Sequence, residues 1–100
     1  VFIEHNETGR TALFVSRLLT LRINELPEAE SEEILEFLFN HSEKHEFIYQ
    51  HEWQIGDLVM WDNRCLNHAR TDFPREERRL LRRNVIQGVR PERGRIDAAA

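Results

Sequence analysis

Two alternating apolar and polar runs open the chain. Residues 1–5 and 11–15 are short and β-prone, and between them lies Asn6-Glu7-Thr8-Gly9, where Gly9 can take positive φ; the pattern predicts a hairpin. Residues 18–23 continue extended. After Pro27 the period changes: in EAESEEILEFLFNHSEK the side chains of Ile34, Leu35 and Leu38 share one helical face. Acids crowd the first turns, where the helix dipole favours them, so a helix to about Ser42 is expected. Residues 47–53, 58–61 and 80–86 read again as strands, with Gly56-Asp57 and Pro74 marking turns. Residues 92–100 read as a frayed tail. The pattern is therefore mainly β with one α-helix, without repeats or low-complexity tracts.

The last of these strands carries an unusual load. In RRLLRRNVI, Arg79, Leu81, Arg83 and Val85 would point to one side of an extended chain and Arg78, Leu80, Arg82 and Asn84 to the other. Arginine is rarely buried unless an anion meets it. If the sheet has an inside, one pair of guanidinium groups enters it. Spacing alone does not choose the face, and a helix would also align arginines four apart.

Charge sharpens this asymmetry. Over the whole chain the net charge is −4, but residues 1–63 hold 4 basic and 13 acidic side chains, whereas residues 64–100 hold 10 arginines and 5 acids. Arginine is the residue that a planar carboxylate or phosphate site asks for. For most of these arginines the simpler expectation is pairing with the acidic front half of the same fold. At 100 residues and 40% apolar content the chain has material for one small core at most. The single Cys65 excludes an intrachain disulfide and, with no zinc-finger spacing, fits a reducing cytoplasm. Neither an apolar run long enough for a membrane span nor a signal peptide is indicated. The start inside a strand-like run, without Met, suggests a segment of something longer.

Four stretches together carry a family resemblance: ETGRTALFVSRLLTLRI, FLFNHSEKHEF, WQIGDLVMWDNRCLNHA and RRLLRRNVIQGVRP. They resemble the C-terminal part of the taurine catabolism dioxygenases, which are Fe(II)- and 2-oxoglutarate-dependent, over about residues 1–91. The resemblance implies part of a double-stranded β-helix, or jelly roll, of eight core strands around a metal cavity. It implies iron held by two histidines and a carboxylate, with positions left open for cosubstrate and O2. His68, after WDNR, would be the distal histidine ligand. Arg79, eleven residues on, would bind the far carboxylate of 2-oxoglutarate, and Arg83, fifteen residues on, the anionic group of the substrate. Both arginines fall on the same strand face in the alternation above. The metal and cosubstrate supply the oxidation, with succinate as coproduct, and the protein supplies placement.

The remaining features weigh on this reading. Without the motif, His68 would read as an ordinary surface or core histidine. Trp53 and Trp61 read as packing residues, and Cys65 as structural or incidental. The family's other two ligands lie in an upstream H-x-D motif, farther away than this chain reaches. His5-Asn6-Glu7 spells H-x-E, 63 residues before His68, but the resemblance sets it on a hairpin turn that elsewhere carries no iron. The chain alone is thus expected to need the rest of the polypeptide to complete its site and cover its sheet edges; a homo-oligomer is compatible with this. Leu18-Leu19 stands where a substrate-facing aromatic is expected, so the substrate is read broadly, as a small sulfonate, carboxylate or sulfate ester. The alternatives are a non-catalytic jelly-roll interaction domain and an arginine-rich nucleic-acid module. The second is disfavoured by the interleaved acids and scarce aromatics. No nucleic-acid or membrane partner is expected.

Overall fold

The computed structural model of the protein describes residues 1–94. Strands β1 (Phe2–Glu4) and β2 (Thr11–Leu13) pair antiparallel with Ile3 opposite Ala12, and the turn between them closes through Gly9 at φ 68°. The amide of Gly9 donates to the His5 carbonyl at 2.8 Å and that of His5 to Arg10 at 2.9 Å. Glycine is needed there because a Cβ disfavours the left-handed region. The hairpin expected from the alternation is present, with shorter strands.

Helix α1 (Glu28–Ser42) follows Pro27, whose ring suits a helix start, and carries Glu28 and Glu30 in its first turn. Its buried stripe is Ser31, Leu35 and Phe39, at i, i+4 and i+8; Ile34 and Leu38, expected to share the core face with Leu35, are only half-buried. Leu35 and Phe39 pack with Val15 to form the core cluster, bordered by Leu13, Ile23 and Leu38. Ser31 is the polar member of the stripe: its hydroxyl oxygen accepts the Ile23 amide at 2.7 Å. That bond ties the segment before the helix to α1 and satisfies a donor that burial would otherwise leave unpaired. Residues 18–23, read as extended, are not so throughout: Leu18 and Leu19 lie in a turn in which the Leu19 and Thr20 amides donate to the Ser16 carbonyl at 3.2 and 2.8 Å.

Arg17 performs the same tie on the outside. Its guanidinium donates to both Glu43 oxygens at 2.9 and 3.1 Å, to Glu36 at 3.2 Å and to Asn40 at 3.3 Å, and lies 5.0 Å from the centre of the Phe39 ring. The Arg17 fork holds the Glu43 carboxyl below its ordinary range.

A 3-10 turn (His45–Phe47) ends this region. Beyond it the structure departs from the pattern. Residues 47–53, 58–61 and 80–86, read as strands, form none; of the described residues after Phe47 only β3 (Glu92–Arg93) is regular. The physical reason is that a strand exists only as a pair, since its amides and carbonyls need a neighbouring backbone. Apolar side chains there, among them Tyr49, Ile55, Leu58 and Ile86, are exposed.

The first two residues of the expected tail pair instead with β1, Ile3 opposite Arg93, which gives a three-stranded antiparallel sheet in the order β2-β1-β3; residues 95–100 of the tail lie outside the described residues. Gly94 donates to the Phe2 carbonyl at 2.9 Å, and a Cβ there would lie 2.6 Å from the Ile3 carbonyl carbon and oxygen. Glycine is required by this approach. Among the described residues one α-helix and a small three-stranded antiparallel sheet thus form, in place of a mainly β pattern. The Cα radius of gyration, 16.6 Å, exceeds the roughly 13 Å of a compact domain of about 100 residues.

Candidate functional site

The segment that follows Trp61 is built on a carboxylate. The Asp62 carbonyl accepts the amides of Cys65 and Leu66 at 3.3 and 3.1 Å, while its Oδ1 accepts the Arg64 amide at 3.0 Å, so the aspartate organises a turn around itself. Arg64 then folds back and grips the same carboxylate with two N–H groups, Nε to Oδ1 at 2.9 Å and Nη2 to Oδ2 at 2.8 Å. Both contacts come from one planar fork, the geometry lysine lacks.

This turn is fastened to the hairpin. His5 Nε2 donates to Asp62 Oδ2 at 2.8 Å, and Arg64 Nη1 reaches Glu7 Oε2 at 2.6 Å. An ionised carboxylate only accepts, so the Nε2 of His5 carries the proton. The Arg64 guanidinium, aided by the His5 ring, holds the Asp62 carboxyl well below the usual carboxylate range, and Asp62 with Glu7 raises Arg64 further. At the other end of the turn the Asn67 side-chain amide donates to the Val15 carbonyl at 2.8 Å. His68 is the next residue.

The His68 ring is exposed and lies 4.7 Å, centre to centre, from the Trp61 indole, whose Nε1 donates to Asn63. Among the described residues neither ring nitrogen of His68 makes a hydrogen bond, which leaves the imidazole able to donate to a metal. Arg79 and Arg83 are exposed and unpaired among the described residues; Arg79 sits 5.8 Å from the Phe73 ring. No strand carries them, so the alternation that put both on one face has no counterpart here. None of the three lines either of the two clefts, of about 540 and 260 Å³, that lie against α1; Leu21 and Glu32 line both.

Several other expectations change. The basic half was expected to pair with the acidic front half, yet among the described residues Arg64 is the one arginine beyond residue 63 that does so. Trp53 and Trp61 pack on histidine rings, His51 and His68, and not into the core. His5, Asp62 and Cys65 bring possible ligand atoms within 4.8 Å of one another, but Asp62 spends both oxygens on Arg64 and His5. Glu7 is likewise taken by Arg64. The H-x-E pair therefore serves the clamp, and His68 is not grouped with it. Asp62, Arg64 and Asn67 were visible only as letters of a motif; the D-x-R spacing in a turn was the signal of a self-folding carboxylate and guanidinium pair.

The family model described as "Taurine catabolism dioxygenase TauD, TfdA family" matches residues 1–84. The chain belongs to this family. The matched range contains the whole hairpin, α1, the WDNR turn, His68, Arg79 and Arg83. Among relatives, the alpha-ketoglutarate-dependent 2,4-dichlorophenoxyacetate dioxygenase of Cupriavidus pinatubonensis is 42% identical over 79 residues, 79% of this chain and 27% of that protein. Pentalenolactone F synthase of Streptomyces avermitilis is 46% identical over 78 residues, covering 78% and 26%. The (S)-phenoxypropionate/alpha-ketoglutarate dioxygenase of Sphingobium herbicidovorans is 39% identical over 84 residues, covering 84% and 29%. The chain thus spans about a quarter of the length of the relatives it matches. No solved structure matches. Among the described residues no helix is long and apolar enough to cross a membrane.

Proposed function

We propose that the chain is the C-terminal portion of an Fe(II)- and 2-oxoglutarate-dependent dioxygenase that hydroxylates a small acidic organic substrate. The observation that carries this reading is one spacing inside the family match: a histidine with unoccupied ring nitrogens, then arginines eleven and fifteen residues later. His68 is one metal ligand, Arg79 the partner of the 2-oxoglutarate far carboxylate, and Arg83 the partner of the substrate anion. The remaining two ligands and the opposite wall of a jelly-roll cavity come from polypeptide beyond this chain. Iron, when bound, supplies the activation of O2. The protein's residues bind and orient: a neutral imidazole presents its nitrogen, and two guanidinium forks fix two anions.

Arg79 and Arg83 are solvated in this chain because the wall they face belongs to the rest of the protein, and the exposed apolar residues after Phe47 are covered by the same polypeptide. The names of two relatives specify phenoxy acids, which favours a carboxylate over a sulfonate or sulfate ester as the group at Arg83. A cytoplasmic location accords with the single thiol.

The test uses the complete polypeptide. Anaerobic addition of Fe(II) and 2-oxoglutarate should produce a weak visible charge-transfer band. Replacing Arg79 by Ala, with the fold kept, should cost about 2–5 kcal/mol of cosubstrate affinity, roughly thirty-fold or more, with Fe(II) binding largely retained. Unchanged 2-oxoglutarate affinity would refute the role of Arg79.

A further inference from the structure

We infer that Asp62, Arg64 and Asn67 are positioning residues that set the place of His68 by fastening its backbone at two points, the turn of the β1–β2 hairpin and the core segment just after β2. The inference rests on the metal-ligand reading of His68 given above, and it adds residues that the spacing of histidine and arginines does not supply.

His68 stands on no helix or strand, so nothing in its own secondary structure fixes it. A metal ligand on a free loop loses affinity, because ordering the loop consumes part of the binding free energy. Here the loop is ordered beforehand. At one end, Asp62 and Arg64 form a closed unit that reaches His5 at 2.8 Å and Glu7 at 2.6 Å, on either side of Asn6 in the hairpin turn. At the other end, Asn67 grips the Val15 carbonyl at 2.8 Å, and Val15 is itself a core residue 5% exposed. The turn between the two anchors is closed by the Cys65 and Leu66 amides on the Asp62 carbonyl. A fork, an Asx turn and a carboxamide therefore tie residues 62–67 to the hairpin turn and to Val15 just after β2, and His68 is the residue that follows the second tie.

These contacts divide the labour in a way a general stabilising network would not. The Asp62 and Arg64 unit fixes where the turn sits over the hairpin, and Asn67 fixes the direction in which the chain leaves it. Neither side chain needs to touch the metal. Trp61, before the turn, and His68, after it, meet ring to ring at 4.7 Å across the closed turn.

The experiment measures Fe(II) affinity of the complete polypeptide by anaerobic equilibrium dialysis, with 2-oxoglutarate KM read separately at saturating Fe(II). Asp62→Asn and Asn67→Asp are the chosen variants, because each keeps the size of its side chain and the turn can still close. Each should weaken Fe(II) binding by about ten-fold, in the range seen for residues that orient ligands. The unfolding midpoint should move little, and the 2-oxoglutarate KM should stay near that of the wild type once Fe(II) is saturating. Arg64→Ala should match or exceed Asp62→Asn, and Arg64→Lys should restore only part, since lysine cannot make the fork. If both isosteric variants bind Fe(II) as the wild type does while His68→Ala loses it, the positioning role is overturned and the metal reading stands. If His68→Ala also binds Fe(II) like the wild type, the metal reading falls, and the positioning role with it.

Discussion

The front of this chain, through the 3-10 turn at Phe47, and the stretch from there to β3 have similar apolar content to the eye and opposite fates. In the front, every element finds its partner nearby: β1 meets β2 across a tight turn, α1 lays Ser31, Leu35 and Phe39 on Val15, and Arg17 locks the outside of the same contact. In the second stretch the apolar runs pair with no strand among the described residues, and the residues with candidate chemistry, His68, Arg79 and Arg83, stand exposed. The difference is one of partner distance along the sequence. Local contacts order the first region by themselves, whereas a β-run acquires structure only when a neighbouring backbone, however distant in sequence, is brought to it.

The largest effect should come from emptying the front core. Phe39→Ala in the complete polypeptide is expected to cost about 3–5 kcal/mol, read as a lower denaturant midpoint; a loss well under that would mean that the front owes its order to the second stretch. Next is the seam where the two regions meet again. Gly94→Ala drives a methyl group into the Ile3 backbone and should cost about 1–3 kcal/mol, with faster amide exchange at residue 94. Retained protection there would show that β3 is not held to β1 by this approach.

The smallest effect is electrostatic. The Glu43 carboxyl has its folded pKa lowered by Arg17. A lowered folded pKa gives a contribution that is full above the unfolded value, about 4.3, and is lost as pH falls through the folded one. The gap in unfolding midpoint between the wild type and Arg17→Ala should therefore be present near about pH 7 and shrink toward about pH 2, and it should also shrink in high salt, because both partners are exposed. A gap independent of pH would assign the effect of Arg17 to its packing over Phe39.

The hairpin and the helix were legible because their signals are local: Gly9 at a turn, the change of period after Pro27, the acids at the helix start. The face of the helix was less so. Ser31 looks like a surface residue in sequence and is almost fully buried, since only the approach of the 18–23 segment gives its hydroxyl a partner. Strands after Phe47 were legible as patterns and not as structure, because alternation states which side chains could face a core without supplying the backbone that makes one. The clamp on the WDNR turn shows the converse. Its letters belong to a stretch that carries the family resemblance, but the bonds from Asp62 and Arg64 to His5 and Glu7 join residues more than fifty positions apart, which no spacing rule reports.

By itself the sequence determined the order of hairpin and helix, the charge asymmetry and the spacing of His68, Arg79 and Arg83 within the family match, all of which can be read along the chain without its fold. Only the tertiary structure decided that β3 adds to β1, that Ser31 is core, and that an aspartate and an arginine bind the His68 turn to the hairpin. Those facts depend on contacts between distant segments, and such contacts are chosen by the packing of the whole chain.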